Sequence, residues 1–331
     1  MALKSYPKRI IASVLLSFCL FEGPCLSSEP SYRFNEIWAY LMKGEEIFYE
    51  ERLPGHTGPI TDLCYFSARV NQIGRLDQVI NRPVFQRPCA KVDRIHLVIS
   101  APASRTLMYF CLFRDIQTRE ALIQDIVRLG GPFDGIQVDF EAIRPEERSS
   151  YLVFLSTLKK RLGSRVLSVA VPARQREMND AFDYVGIGAI ADRVIVMAYD
   201  EHWRTGTPGP IASGPWCRKV CEYARQTIPD RKLIMGLPLY GRSWQVETFA
   251  EALTYKETLD LYHRHQPRVF REEDQSPCFS FEMPARMKVY YEDLQSLGYK
   301  LDLYRQMDVH NVGFWRIGQG PVAIWQRISS P

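Results

Sequence analysis

The segment that decides the fold is Asp134-Gly-Ile-Gln-Val-Asp-Phe-Glu141. Successive side chains of an extended strand point to opposite faces, so Gln137, Asp139 and Glu141 share one face and the apolar residues between them share the other. Parallel strands that are buried on both faces normally read as continuous apolar runs, and an amide with two carboxylates breaks that pattern. Such a break typically marks a functional site. The segment therefore predicts a buried parallel strand that carries reactive groups.

From about Asn35 onward, short apolar runs alternate with amphipathic stretches, which is typical of βαβ units. The eight runs are Ile37 to Leu41, Leu63 to Ser67, Ile95 to Ser100, Phe133 to Glu141, Val166 to Val171, Arg193 to Tyr199, Leu233 to Tyr240 and Val312 to Ile317. Eight parallel strands predict an α/β fold of the closed (β/α)8 TIM barrel type. Because Glu141 ends its run, it is expected at the C-terminal mouth, where barrel enzymes keep their reacting groups.

Helices are predicted between these strands, where apolar residues recur at spacings of three and four. They cover Arg119 to Leu129, Glu146 to Leu162, Asn179 to Ala191 and Lys219 to Gln226. The seventh and eighth runs lie roughly 70 residues apart, against about 30 for an ordinary βαβ unit. We expect a small insertion at about residues 246–290, with a short strand from Lys288 to Tyr291, followed by a helix from Leu294 to Gln306.

The first residues have the layout of a signal peptide, with a basic start, an apolar run of roughly a dozen residues and a small-residue stretch. Residues 1–28 are predicted to be this peptide and residues 29–331 one catalytic barrel. The apolar run is shorter than the roughly 20 residues of a membrane-spanning helix, so the mature form is expected to have no integral span. We predict a secreted, periplasmic or cell-envelope protein. An uncleaved anchor and a lipoprotein are weaker alternatives.

The 331 residues are 46% hydrophobic and carry a formal net charge of +4. Removing Lys4, Lys8, Arg9 and Glu22 with the leader subtracts +2 and leaves about +2, so the charge does not indicate nucleic-acid binding. Export permits disulfides among the six cysteines beyond the leader, whose pairing is not readable, and buried thiols are the other reading. No cofactor, no metal site and a monomer are expected.

The two carboxyls of the segment suit acid catalysis. Glu141, near the mouth and among apolar groups, is expected to have a raised pKa and to hold a proton at neutral pH, as a general acid must. Asp139 lies one pleat deeper. Two ionised carboxylates at this spacing would repel each other, so a proton shared between them is the natural arrangement.

The segment resembles the D-G-x-D-x-D-x-E signature of family 18 glycoside hydrolases. The resemblance implies that Glu141 protonates the glycosidic oxygen, and that Asp139 orients the 2-acetamido group of the substrate, which attacks its own anomeric carbon. Retention of configuration and an N-acetyl sugar at the cleaved position follow. Gln137 stands where many members have Asp; it is a neutral amide that can still hydrogen-bond Asp139.

Further blocks resemble the family in its own order. Met197-Ala-Tyr199-Asp200 is similar to its sixth-strand block, which implies that the Tyr199 hydroxyl binds the acetamido carbonyl and that Asp200 contacts the sugar. The run from Val196 to Trp203 resembles the spore-cortex-lytic group. The block from Gly236 to Trp244 contains Tyr240, and the block from Gly313 to Gly318 places Trp315 as the floor on which a sugar ring stacks. Tyr40 is expected to line the same subsite.

The expected function is hydrolysis of β-1,4 bonds in a polysaccharide that contains N-acetylglucosamine, most simply peptidoglycan. A chitinase is a variant of this reading, because Trp203, Trp216 and Trp244 could line a polymer cleft. A carbohydrate-binding protein without activity is the alternative of another class, and the presence of both Asp139 and Glu141 argues against it.

Overall fold

The computed structural model describes most of the chain outside its N-terminal segment. The described residues are 32–53, 58–77, 81–85, 91–101, 104–245, 249–273, 275–283 and 286–331. The predicted signal peptide, residues 1–28, lies outside them.

The described residues contain strands that fall into three sheets. Numbered along the chain, they are β1 (Tyr32–Arg33), β2 (Glu36–Met42), β3 (Asp62–Arg69), β4 (Arg94–Ser100), β5 (Gly135–Asp139), β6 (Val166–Pro172), β7 (Arg193–Met197), β8 (Leu233–Pro238), β9 (Tyr240–Gln245), β10 (Phe249–Thr254), β11 (Phe270–Arg271), β12 (Pro277–Glu282), β13 (Arg286–Tyr290), β14 (Asn311–Trp315) and β15 (Ile328–Ser329).

Eight of these strands form a closed parallel barrel. Strands β2 to β8 pair in sequence, and β14 closes the ring between β8 and β2, where Gly313 is in register with both Gly236 and Trp38. The predicted TIM barrel is thus confirmed. Each of the eight predicted apolar runs overlaps one barrel strand. Strands β1 and β15 form a small parallel pair outside the ring.

Helices pack around the barrel and within the insertion. They are α1 (Glu46–Arg52), α2 (Arg105–Tyr109), α3 (Ile116–Leu129), α4 (Arg148–Leu162), α5 (Tyr184–Ile190), α6 (Gly214–Thr227), α7 (Tyr255–His265), α8 (Leu294–Gln306) and α9 (Ile324–Arg327). A π-helical turn, Phe110–Arg114, continues α2, and short 3-10 turns cover Pro145–Glu147 and Asp230–Lys232. The prediction for α8 matches its bounds, and α3 and α6 begin earlier than predicted.

Helix α5 is shorter than the predicted span from Asn179 to Ala191. The Asp180 carboxylate accepts a hydrogen bond from the Phe182 backbone at 2.8 Å, which forms a local turn. Asp183 then acts as the N-cap and accepts from Gly186 N at 3.0 Å. Asp and Asn side chains offer the backbone such alternatives to a helix, so α5 begins only at Tyr184.

Four barrel strands, β5, β7, β8 and β14, each end two residues before their predicted limits. β5 stops at Asp139, which is in register with Ser100, the last residue of β4, so Glu141 has no ladder partner on that side. β7 stops at Met197, where tight backbone turns follow and Asp200 has a φ of 60°. Glu141 and Tyr199 therefore lie just beyond the strands, on the loops at the barrel mouth.

The chain between β8 and β14 forms a five-stranded antiparallel sheet in the order β10-β9-β13-β12-β11, with helix α7 beside it. The sheet continues directly from β8, because β9 begins at Tyr240, two residues after Pro238. Its own core packs Phe279, Phe281, Val289 and Tyr291 against α7 residues. The capping box at the start of α7, between Thr254 and Glu257, fixes where that helix begins.

The N-terminal end of the barrel holds a network of buried charges. Glu36 accepts hydrogen bonds from Arg193 and from Arg94, and Asp62 accepts from Arg94 at 2.6 Å and bonds to His96 Nε2 at 2.7 Å. Burial alone would raise the pKa of Asp62, but the bonds from His96 and Arg94 outweigh it and hold that pKa below its usual value. Buried carboxylates are tolerated when they are paired in this way.

Within the described residues, five cysteines are buried and not joined in disulfides: Cys64, Cys111, Cys217, Cys221 and Cys278. Cys217 and Cys221 lie about one turn apart on one face of α6, and Cys89 lies outside the described residues. No helix in the described part of the chain combines the length and apolarity needed to cross a membrane.

Gly135 is the position where a single added methyl group should damage the barrel most. Its Cβ would lie 2.2 Å from His96 Nδ1 and 2.9 Å from the Val166 carbonyl, and His96 is fully buried and held by Asp62. We predict that Gly135→Ala lowers the free energy of unfolding by about 1–3 kcal/mol or more, as overpacked cores do.

Urea unfolding followed by circular dichroism measures this loss. The control is Gly131→Ala, whose Cβ would have one neighbour within 4 Å, the Arg128 carbonyl at 3.2 Å. Equal stability of the two variants would contradict the prediction.

Candidate active site

The polar residues of the deciding segment rise in steps toward the barrel mouth. Gln137 is fully buried inside the barrel, and Asp139, at the end of β5, is 9% exposed. Glu141 follows on the loop and reaches solvent. The three positions alternate with apolar Val138 and Phe140, which are buried on the other face of the strand. The residues run from the core to the opening on one side of the strand.

Gln137 is anchored to its neighbours below the mouth. Its amide nitrogen donates to Ser168 Oγ at 3.3 Å and to Cys64 Sγ at 3.7 Å, rather than to Asp139. Its carbonyl oxygen Oε1 is buried and has no hydrogen-bond partner. Asp139 Oδ1 is likewise buried without a partner. Two buried acceptor atoms at the base of the mouth thus have no donor among the residues that the structure describes.

Both carboxyls have raised pKa values. Burial, and then the charge of Glu141, raises the pKa of Asp139 to about 7. Partial burial of the carboxyl, and then the charge of Asp200, raises the pKa of Glu141, although the residue reaches solvent. Burial is the larger cause for both groups, and the nearby negative charges add to it, so both carboxyls hold protons to a higher pH than isolated carboxyls do.

Asp200 is held in a fixed position beside this pair. The Tyr240 hydroxyl donates to Asp200 Oδ1, and Arg242 Nη2 donates to the same oxygen at 2.6 Å. The Tyr199 ring meets the Tyr240 ring edge to face, with centroids 6.3 Å apart. Burial raises the pKa values of Tyr199 and Tyr240 well above the usual range for tyrosine, so both hydroxyls keep their protons and can donate hydrogen bonds.

An aromatic group forms the floor of the mouth around Trp315, at the end of β14. Its ring lies 5.2 Å from that of Tyr40 and 5.5 Å from that of Phe66, measured between centroids. Tyr40 is 4% exposed, whereas Trp315 is only partly buried. The peptide bond after Trp315 is cis. A partly open indole with aromatic walls offers a flat apolar surface at the centre of the barrel.

The structure brings the sequence-predicted residues to one end of the barrel. Asp139, Met197 and Trp315 end β5, β7 and β14, Glu141, Tyr199 and Asp200 follow on loops, and Tyr240 begins β9. Met197 is partly buried and is in register with Pro172 at the end of β6. His202 bonds through its ring to the Thr207 carbonyl at 2.9 Å. No cluster of three His, Cys, Asp or Glu side chains that could hold a metal occurs in the part of the chain that the structure describes.

Two residues of the site were not singled out from the sequence. Arg242, which holds Asp200, stands inside the block from Gly236 to Trp244, so its position in that motif was the available signal. Phe66, on β3, contacts Trp315 at the end of β14, two strands away in the barrel, and nothing in its local sequence indicates that contact. The pairing of Arg242 with Asp200 and the contact of Phe66 with Trp315 form only when segments distant in the chain meet.

The chain matches the family model described as glycosyl hydrolases family 18 over residues 94–320. It is 30% identical over 238 residues to the "Putative sporulation-specific glycosylase YdhD" of Bacillus subtilis (strain 168), covering 68% of this chain and 54% of that protein. It is 28% identical over 279 residues to the cortical fragment-lytic enzyme of Bacillus anthracis, covering 78% of this chain and 65% of that enzyme. The chain thus spans less than two thirds of either relative.

The fold has solved counterparts. The crystal structure of the Bacillus cereus spore cortex-lytic enzyme SleL superposes with a TM-score of 0.77 at 23% identity, covering 92% of this chain and 76% of that one. That likeness supports the barrel with its added sheet. The family match extends over more than half of the 331 residues and includes the deciding segment, the sixth-strand block and Trp315. The chain therefore belongs to glycosyl hydrolases family 18.

Proposed function

We propose that this chain is an exported glycosidase that cleaves β-1,4 bonds next to N-acetylglucosamine in peptidoglycan. The observation that carries the proposal is the pair Asp139 and Glu141, on one side of β5 at the barrel mouth, with raised pKa values and a free buried oxygen on Asp139. Family membership supports a glycosidase, and the Bacillus relatives that act on spore cortex fragments, as their names say, favour peptidoglycan.

The unpartnered acceptors fit an acetamido group. An acetamide carries one N–H donor and one carbonyl acceptor, and Asp139 Oδ1 is a buried acceptor without a partner. The protonated Tyr199 hydroxyl is a donor for the acetamide carbonyl. A buried polar atom that stays unpaired costs about 1–3 kcal/mol, and a bound N-acetyl sugar would remove that cost. The acceptor on Asp139 and the donor on Tyr199 thus match the two polar groups of an acetamide.

Glu141 supplies the proton. In the first step its carboxyl protonates the glycosidic oxygen, the bond from that oxygen to the anomeric carbon breaks, and the acetamido oxygen forms a new bond to the same carbon. Asp139 accepts the acetamide N–H and so orients this attack. In the second step water attacks the anomeric carbon, the acetamido oxygen leaves, and the ionised Glu141 takes the proton from water. Two displacements at one carbon retain its configuration.

The remaining residues position the sugar. Trp315, with Tyr40 beside it, provides the apolar face on which a pyranose ring stacks, and Met197 contributes a soft apolar contact at the end of β7. Asp200, held by Tyr240 and Arg242, both contacts the sugar and raises the pKa of Glu141. Gln137 lies below Asp139 on the same face of β5, bonded to Ser168 and Cys64, and adds no charge there. Residues 1–28 would direct export of a monomer.

A chitinase with the same chemistry is the second candidate, since chitin is also an N-acetylglucosamine polymer and solved chitinases share the fold. A carbohydrate-binding protein is the third. Measured hydrolysis distinguishes the binding function from the two enzymatic functions. If the wild-type protein binds N-acetylglucosamine oligomers but cleaves neither these nor purified peptidoglycan, the binding function replaces the enzymatic one.

We predict that Glu141→Gln lowers kcat on peptidoglycan or N-acetylglucosamine oligomers by roughly 10² to 10⁴-fold, the usual loss for a general acid. The amide keeps the shape of the side chain but cannot donate the same proton, so sugar binding should persist. The measurements are product release by mass spectrometry and binding by calorimetry. Glu146→Gln is the matched control, because Glu146 is an exposed carboxylate five residues further on. Activity of Glu141→Gln within about tenfold of wild type would rule out this mechanism.

We predict that Asp139→Asn removes activity and changes how stability depends on pH. The pKa of Asp139 rises from its usual value near 4 to about 7 on folding, so the folded state binds a proton that the unfolded state releases. Wild-type stability therefore decreases from about pH 4 to pH 7, by up to about 1.4 kcal/mol per pH unit, and Asn cannot lose a proton in this way.

The variant should gain stability relative to wild type as the pH rises to 7 and hold that gain above it. Urea unfolding at pH 4.5, 6 and 8 tests this. Asp260→Asn, at an exposed position on α7, is the control. A stability difference between variant and wild type that stays constant with pH would show that Asp139 is not protonated in the folded protein.

A further inference from the structure

A second cavity opens at the barrel mouth beside the site described above. It has a volume of about 420 Å³ and lies at the C-terminal ends of β2, β3 and β4. Phe66 is part of its wall and also contacts the Trp315 ring, with centroids 5.5 Å apart. Ser100, another wall residue, is in register with Asp139. The cavity therefore adjoins the aromatic floor and the strand end that carries Asp139, on the side of the first strands.

The charged side chains described in the wall of this cavity are all positive. Among the described residues that line it, Lys43 and Arg69 are charged, and both are cations. Both side chains are exposed, and neither is within ion-pair distance of a carboxylate in the described residues. Glu46, which Lys43 influences through space, bonds to the Tyr65 hydroxyl instead. The wall also holds Ser67, whose hydroxyl oxygen is buried without a hydrogen-bond partner.

Other cations around the mouth behave differently. Arg242 is paired with Asp200, and Arg316 is paired with Glu45. Each of these two arginines is already neutralised by an ion pair with a loop carboxylate, so neither is available to bind an anionic ligand. Two unpaired cations that face one cavity attract an anion, and ammonium or guanidinium groups bind carboxylates through charge-assisted hydrogen bonds. The unpartnered Ser67 hydroxyl adds a neutral donor.

We infer that this cavity binds a carboxylate-bearing substituent of the sugar next to the cleaved one. The inference rests on the proposed function and deepens it. In peptidoglycan, every second sugar carries a lactyl ether that ends in a carboxylate or in a peptide, whereas every sugar of chitin is neutral. Lys43 and Arg69 would thus make the site prefer an anionic glycan, and the carboxylate comes either from the lactyl group or from the peptide.

The test compares three glycans of similar length on the full chain. They are neutral N-acetylglucosamine oligomers, glycan strands whose peptides have been removed to leave free lactyl carboxylates, and strands that retain their peptides. The test variant is Lys43→Gln with Arg69→Gln. The control is Lys160→Gln with Arg231→Gln, two exposed cations that lie just before β6 and β8 begin and so remove the same charge at the end of the barrel opposite the mouth.

We expect the test variant to lose roughly tenfold or more in kcat/KM on carboxylate-bearing strands, mainly through KM, and less than about twofold on neutral oligomers. The control should match wild type on all three glycans. Added salt should weaken the wild-type preference and leave the test variant unchanged. A loss on strands without peptides assigns the lactyl carboxylate, and a loss confined to strands with peptides assigns the peptide. Equal effects on neutral and anionic glycans, or no effect, would overturn the inference.

Binding separates this inference from the proposed function. Calorimetry of Glu141→Gln, with and without the two cation substitutions, measures strand affinity without turnover. If the wild type cleaves no glycan but the cation substitutions weaken binding of anionic strands selectively, the cavity assignment stands and the enzymatic function fails. If cleavage occurs and affinity for anionic strands is unchanged by the substitutions, the enzymatic function stands and the cavity assignment fails.

Discussion

The arrangement at the barrel mouth depends on one contact at the opposite end of β5. His96 is fully buried, its Nε2 is fixed by Asp62 at 2.7 Å, and its ring leaves room for no side chain at Gly135, the residue in register with it. This contact pins β5 against β4. Side chains alternate with a period of two, so the same register that places Gly135 over His96 turns Gln137 and Asp139 inward. A slip by one residue would turn both carboxyls of the motif toward the helices.

The deciding segment therefore combines two kinds of constraint. Its first two residues are structural, because Asp134 accepts a hydrogen bond from Ile95 N at 2.8 Å and Gly135 accommodates His96. Its last residues carry the chemistry. From the sequence, alternation and the break in apolar pattern were enough to predict the strand, its inward face and the barrel. They could not separate the structural residues from the reactive ones, since His96 is 39 residues away and its role appears only in the folded sheet.

Strand ends and contacts between segments distant in the chain could not be predicted from the sequence for the same reason. β5 ends at Asp139 because its neighbour β4 ends at Ser100, and a single run of residues does not indicate how long its neighbour is. Phe66 reaches Trp315 across 249 positions of the chain. Motif blocks predicted Tyr199, Asp200 and Trp315 because each block stands at a strand end, where parallel strands bring their termini to one edge. The pairing of Arg242 with Asp200 forms only in the tertiary structure, because the two residues lie on separate segments of the chain.

The neutral amide of Gln137 suits its fully buried position better than a carboxylate would. A carboxylate at this position would place a second negative charge below Asp139, in a fully buried place, and each buried like charge raises the cost of ionising the other. The amide avoids that charge and is anchored through its nitrogen by Ser168 and Cys64. Asp139 and Glu141 then have the raised pKa values of the site, and the charge of Asp200 contributes to raising the pKa of Glu141. Because Gln137 carries no charge, the pKa of Asp139 is raised by burial and then by the charge of Glu141, with no contribution from below. An amide at position 137 thus keeps a third titrating carboxyl out of the site. Glu141 remains the proton donor at the mouth.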